Sequence, residues 1–195
     1  MTRRQVKKAA TTRRPPAFTA ELRQTLAKQK KTDLVDVLLE LAQSDRGVLR
    51  QLTARFNVVT SPDDLVAATR QAIADATKFD KRDINRNFDY DDEAYREVKR
   101  NLGRLIDAGQ LQLAMQLSLE LMQQGSHQVE MSDEGIMADD IEDCLSVALK
   151  TIKKCDLPVA EIIAWCSAML DNDRVGFIAR QPLESLRKHF QTAGQ

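Results

Sequence analysis

Apolar residues in this chain recur every three to four positions, the spacing that lines one side of an α-helix. Nowhere do they alternate with period two for the length of a strand. Leu34, Leu38 and Leu41, with Val35, Leu39 and Ala42 beside them, form two adjoining stripes and so a wide apolar face on one short helix. Asp45-Arg46-Gly47 interrupts that helix, and Val48, Leu49, Leu52 and Phe56 predict another. Ser61-Pro62-Asp63-Asp64 is a helix start: Ser61 can cap free N–H groups, proline fits the first helical position, and the two acids face the positive end of the dipole. The helix it opens runs from Leu65 to about Lys78. The stretch 79–92, with five Asp and two Asn and no clean period, reads as a connector.

Two pairs of helices are predicted beyond it. The first is 93–107, with Val98, Leu102 and Leu105, and 111–123, with Leu111, Met115, Leu117, Leu121 and Met122. Gly109 stands where the turn between them wants a left-handed residue, and Gly125 is expected to end the second helix in the same way. After an acidic loop, 126–136, the second pair is 138–154, with Ile141, Leu145 and Leu149, and 158–171, with Ile162, Trp165, Cys166 and Met169. Pro182 opens a last short helix. The fold class is therefore all-α. The similar layout of the two pairs, each about 33 residues, predicts a stack of antiparallel helical hairpins, solenoid-like in the manner of tetratricopeptide repeats.

Composition sharpens this picture. Seven Gly, five Pro and 5% aromatic residues argue against a turn-rich β-sandwich, and 43% hydrophobic with 30% charged residues is a composition that folds. The formal net charge is zero, yet residues 1–31 carry +9 and residues 32–195 carry −9. Residues 1–16, closed by Pro15-Pro16, read as a disordered basic tail, and 17–195 as a single helical-repeat domain with sub-units at 17–80 and 90–195. No apolar run reaches the roughly 20 residues of a membrane span. An odd number of cysteines, three, suits a reducing cytoplasm.

Chemistry-bearing motifs are scarce. Cys144, Cys155 and Cys166 are eleven residues apart, whereas zinc sites use ligands two to four apart. The acids of 132–143 match a calcium loop in content and not in spacing, and fit better as the decorated start of a helix. There is no Gly-rich phosphate loop, no nucleophile elbow and no H-E-x-x-H. No catalytic, cofactor or metal residue is assigned. Arg3, Arg4, Lys7, Lys8, Arg13 and Arg14 are the candidate contacts to a nucleic-acid backbone, which gives affinity without sequence reading. Helices 111–123 and 158–171 are apolar on more than one face, so Met115, Leu117, Met122 and Trp165 are the candidate protein interface, for a partner or for self-association.

The run from Thr32 through Ala42 and Asp45, then Phe88-Asp89-Tyr90, a helix ending at Gly109, and Leu121 onward to Asp139-Asp140 resembles the helical region that follows the zinc finger in bacterial SWIM zinc-finger proteins. The family's zinc motif, C-x-C with C-x-H, is absent, so zinc binding does not carry over. What the resemblance implies is an α-helical interaction region in a bacterial cytoplasm, with no catalytic residues to transfer. The sequence reading is a non-enzymatic interaction module. Its alternatives are a nucleic-acid accessory protein anchored by the tail and a small enzyme with an unrecognised site.

Overall fold

A computed structural model of the chain describes residues 16–56, 61–80, 82–87 and 89–193. Helix accounts for 79% of these and no strand is present among them, so the protein is all-α. The chain divides into two compact units between Val58 and Val59. This corrects the expected sub-unit boundary at 80–90: the helix that starts at Pro62 packs on the helices that follow it and belongs to the second unit.

The first unit contains α1 (Pro16–Leu26), α2 (Lys31–Ser44) and α3 (Arg46–Phe56). Asp45 is the hinge between α2 and α3. Its backbone N–H closes α2 on the Leu41 carbonyl, and its Oδ1 accepts from the Gly47 and Val48 N–H groups at 2.7 and 3.2 Å, capping α3. α2 packs on α3, whereas α1 makes no more than marginal contact with any helix.

The second unit contains α4 (Pro62–Ala76), α5 (Asp92–Asp107), α6 (Leu111–Met131), α7 (Ala138–Ile152), α8 (Val159–Asn172) and α9 (Arg180–Ala193). Ser61 caps α4 through a bond from the Asp64 N–H, as its sequence predicts, and Asp91 caps α5 through Ala94. Gly109 adopts φ +74° in the α5–α6 turn, where the Gln110 N–H reaches back to the Leu105 carbonyl. The connector is more ordered than its composition suggests. It holds a π-helical turn, Asp83–Asn87, that buries Ile84 and lets Asn85 Oδ1 accept from the Asp133 N–H at 3.0 Å.

Gly125 does not end α6, which runs on to Met131. A Cβ at 125 would lie 2.7 Å from Ile141 Cδ1, so the glycine is where α7 comes close to α6. α6 is the hub of the unit and packs on α4, α5, α7 and α8. The 138–171 pair is not a packed hairpin: α7 leans on α5 and α6, α8 leans on α6 and α9, and the two barely meet. A continuous core results, with Tyr95, Leu102, Leu105, Leu121, Met122, Ile141, Leu145 and Ile162 each at most 1% exposed.

Candidate functional site

The four residues expected to stand open to a partner are all in this core. Met115, Leu117, Met122 and Trp165 are buried, and the Trp165 Nε1–H donates to the Met115 carbonyl at 2.9 Å. The expectation of an interface on these side chains is therefore corrected. The sequence shows that α6 and α8 carry apolar residues on more than one face, and not which helices cover them. In the structure α4, α5 and α7 cover α6, and α8 lies between α6 and α9. The candidate nucleic-acid contacts Arg3, Arg4, Lys7, Lys8, Arg13 and Arg14 lie outside the described residues.

The buried polar groups of the second unit serve its architecture. The Tyr95 hydroxyl donates to Gln128 Oε1 at 2.6 Å, and Gln128 Nε2 donates to the carbonyls of Ala76 and Lys78 at 2.9 and 3.3 Å. One glutamine thus ties the end of α4 to α5 and α6. The Cys144 thiol donates to the Tyr95 carbonyl, and burial pushes it up to about 12. Burial pushes the Cys166 thiol up to about 11. Neither is a thiolate nucleophile at neutral pH, and among the described residues neither His127 nor His189 hydrogen-bonds to a cysteine. Among the described residues no three His, Cys, Asp or Glu side chains converge on a metal-sized site.

One cavity of about 470 Å³ opens between the end of α7 and α9, lined by Leu149, Lys150, Lys153, Pro182, Ser185, Leu186 and His189. Its lining joins the apolar side chains of Leu149, Pro182 and Leu186 to Lys150, Lys153 and His189 and contains no carboxylate.

The first unit is the opposite of the second. Among its described residues only Ala42 and Arg50 are buried. Nine large apolar side chains stand exposed: Leu22 and Leu26 on α1; Val35, Val37, Leu38, Leu39 and Leu41 on α2; Leu49 and Phe56 on α3. The periodicity of α2 explains why. Ala42 and half-buried Leu34 face α3, Val37 and Leu41 flank them on one side, and Val35 and Leu39 flank them on the other. Apolar positions cover more than half of the circumference, and a single neighbouring helix covers about a third of it. Leu39 is 55% exposed and Phe56 63%, values usual for a polar surface residue. The acids of α2 (Asp33, Asp36, Glu40) lie on the side opposite the stripe, and the charged residues of α3 are all bases (Arg46, Arg50, Arg55), of which Arg50 is buried. The two adjoining stripes of α2 were the signal for this surface in the sequence. Its exposure was not legible, because exposure depends on what else packs there.

No family model matches the chain, and comparison with curated proteins and with solved structures gives no match. Among the described residues no helix is long and apolar enough to cross a membrane.

Proposed function

We propose that this protein is a non-enzymatic helical interaction protein. In this reading α4–α9 is the scaffold and the α2–α3 hairpin is the docking element. The carrying observation is the contrast in burial. Among its described residues the hairpin buries Ala42 and Arg50 and leaves seven large apolar side chains exposed, and exposed apolar patches on folded proteins mark docking sites. The burial of the Cys144 and Cys166 thiols accords with a binding role. Three free cysteines accord with a reducing cytoplasm as its place of work.

The test uses Trp165, the single tryptophan, which reports on the second unit alone. A Val37→Glu, Leu39→Glu double variant should leave the Trp165-monitored urea midpoint unchanged and remove the dye-binding apolar surface of the full chain. A midpoint lowered by the substitutions would mean that the chain itself covers this face, and the reading would fall.

A second reading is carried by the +9 charge of residues 1–31, which suits phosphate contacts. It expects sequence-blind nucleic-acid binding whose log–log salt slope, for six tail cations on duplex DNA, is about −5. Binding that survives removal of residues 1–16 would refute it.

A further inference from the structure

We propose that the cavity between α7 and α9 binds a small amphipathic anion, a free molecule with a short apolar chain and one anionic head. This site belongs to the second unit alone and does not depend on the docking face of α2–α3. Three observations meet in it.

The first is how the cavity arises. α5 and the turn before it are tied to α7 by the Tyr90 hydroxyl on Asp140, by Lys99 on Asp143 and by the Cys144 thiol on the Tyr95 carbonyl. Among the described residues no side-chain bond ties α7 to α9 in that way: α9 is held by α8 and meets α7 only lightly. Toward the gap α9 turns one face, positions 182, 185, 186 and 189, on which Pro182 and Ser185 are short and leave the space open. The resulting volume, about 470 Å³, falls within the roughly 300–1,000 Å³ of small-ligand sites.

The second is charge. Elsewhere in this unit Arg70, Arg96, Lys99, Arg100, Arg174 and Arg180 each hold a carboxylate. Among the described residues Lys150 and Lys153 hold none, and the same is true of their sequence neighbour Lys154 and of Arg187 and Lys188 on α9. Lys150 and Lys153 stand one helical turn apart, where like charges repel, and His189 faces them from α9. In a chain whose residues 32–195 carry −9, this end is a local positive field, and an anion seated between its cations relieves their repulsion.

The third is the mixed wall. Leu149, Pro182 and Leu186 offer apolar contact beside the ammonium groups. A bare inorganic anion leaves the apolar part unused, and a neutral apolar molecule leaves the cations unanswered. A ligand with both parts uses both. A protein partner would need far more surface than one cavity between two helices provides.

The test is proton NMR of the full chain titrated with sodium octanoate in buffer at fixed pH, read on the imidazole signals. The chain has two histidines, His127 and His189, and a His127→Gln variant assigns them. Octanoate should shift the His189 signal saturably, with a dissociation constant of about 1 mM, and leave His127 in place. Octanol has the chain without the charge and acetate the charge without the chain, and each should bind about tenfold or more weakly. Lys150→Glu, Lys153→Glu changes two exposed residues and should weaken octanoate about tenfold while leaving octanol as it was. Ser185→Phe should fill the cavity and block both. Neither variant should change the helical circular dichroism. A His189 signal that stays put at about 10 mM octanoate overturns the proposal. So does acetate that matches octanoate, which would mean counterions on lysines, or octanol that matches it, which would mean a crevice indifferent to charge. Octanoate binding that ignores the lysine substitutions overturns it too. An acidic, leucine-containing peptide that moves His189 where octanoate does not would assign the cavity to a protein partner and refute the small anion.

Discussion

Gln128 offers the most decisive test of how the scaffold is held together. Tyr95 and Gln128 are each 1% exposed, and the phenol hydroxyl, the carboxamide and the Ala76 carbonyl form one chain of bonds across α5, α6 and the end of α4. Tyr95→Phe keeps the ring and its edge-on contact with Tyr90, but leaves Gln128 Oε1 buried without a donor. Stranding one such acceptor costs about 1–3 kcal/mol. Gln128→Leu strands the phenol O–H and removes the donor from the Ala76 and Lys78 carbonyls, so its cost is about 3 kcal/mol or more. In the double variant the phenol no longer exists to be stranded. Tyr95→Phe should therefore destabilise the wild-type chain and be neutral or stabilising in the Gln128→Leu background, a coupling of about 1–3 kcal/mol. Urea unfolding followed by Trp165 fluorescence reads this directly, since a loss of 2 kcal/mol lowers the midpoint by about 1 M. If the two effects add within about 0.5 kcal/mol, the bond chain is not what joins these helices and the reasoning is refuted.

Three further outcomes are expected. Gly125→Ala should lower stability by about 1 kcal/mol, because overpacking against Ile141 outweighs alanine's helix preference, and Ile141→Val should reduce the penalty by removing the Cδ1 that the new methyl meets; equal costs in both backgrounds would disprove the close approach. Thiol labelling of the native chain near neutral pH should modify the partly exposed Cys155 and spare Cys144 and Cys166, whose thiols burial pushes up to about 12 and about 11; mass spectrometry of the labelled peptides decides. Burial raises both Tyr90 and Tyr95 above the ordinary value of about 10, Tyr90 also through its bond to Asp140, so their contribution to stability is complete below about pH 10 and is lost as pH rises beyond it; tyrosinate absorbance should emerge together with unfolding, and its appearance in a still-folded chain would contradict the burial.

What the sequence made legible is what local chemistry decides. Ser61-Pro62, Asp45 and Gly109 act as the caps and turn that their residue types announce, because each works through bonds within a few positions. Gly125 has the same look as Gly109 and does something different. Its role is set by Ile141, sixteen positions away, and a glycine stop and a glycine close approach are indistinguishable until the neighbour is known. The misassigned interface has the same origin. The apolar excess of α6 is real, but four helices share it, and the apolar stripe of α2, no wider on paper, has one. Hydrophobic pattern gives the apolar supply of each helix, and only topology gives the demand.

That imbalance ties the folding of the first unit to its function. Helices of 14 and 11 residues are marginal by themselves in water, since nucleation is costly and few bonds repay it. Fixing each backbone residue costs about 1–2 kcal/mol, a cost the second unit offsets with its continuous core. Among the described residues of α2 and α3, Ala42 and Arg50 are buried and Leu34, Val48 and Leu52 are partly so. Covering the exposed half of each of their seven large side chains adds about 1 kcal/mol apiece. The helical state of 31–56 and the occupied state of its face are then one equilibrium, and whatever covers the face stabilises both. Far-ultraviolet circular dichroism of the full chain should lose helix at urea concentrations below the Trp165 midpoint, while Trp165 fluorescence stays native. The Val37→Glu, Leu39→Glu variant should begin with less helix and lose less of it in that range. Helix content that holds constant up to the Trp165 midpoint would show that α2 and α3 stand without cover, and the link between their folding and their docking would be broken.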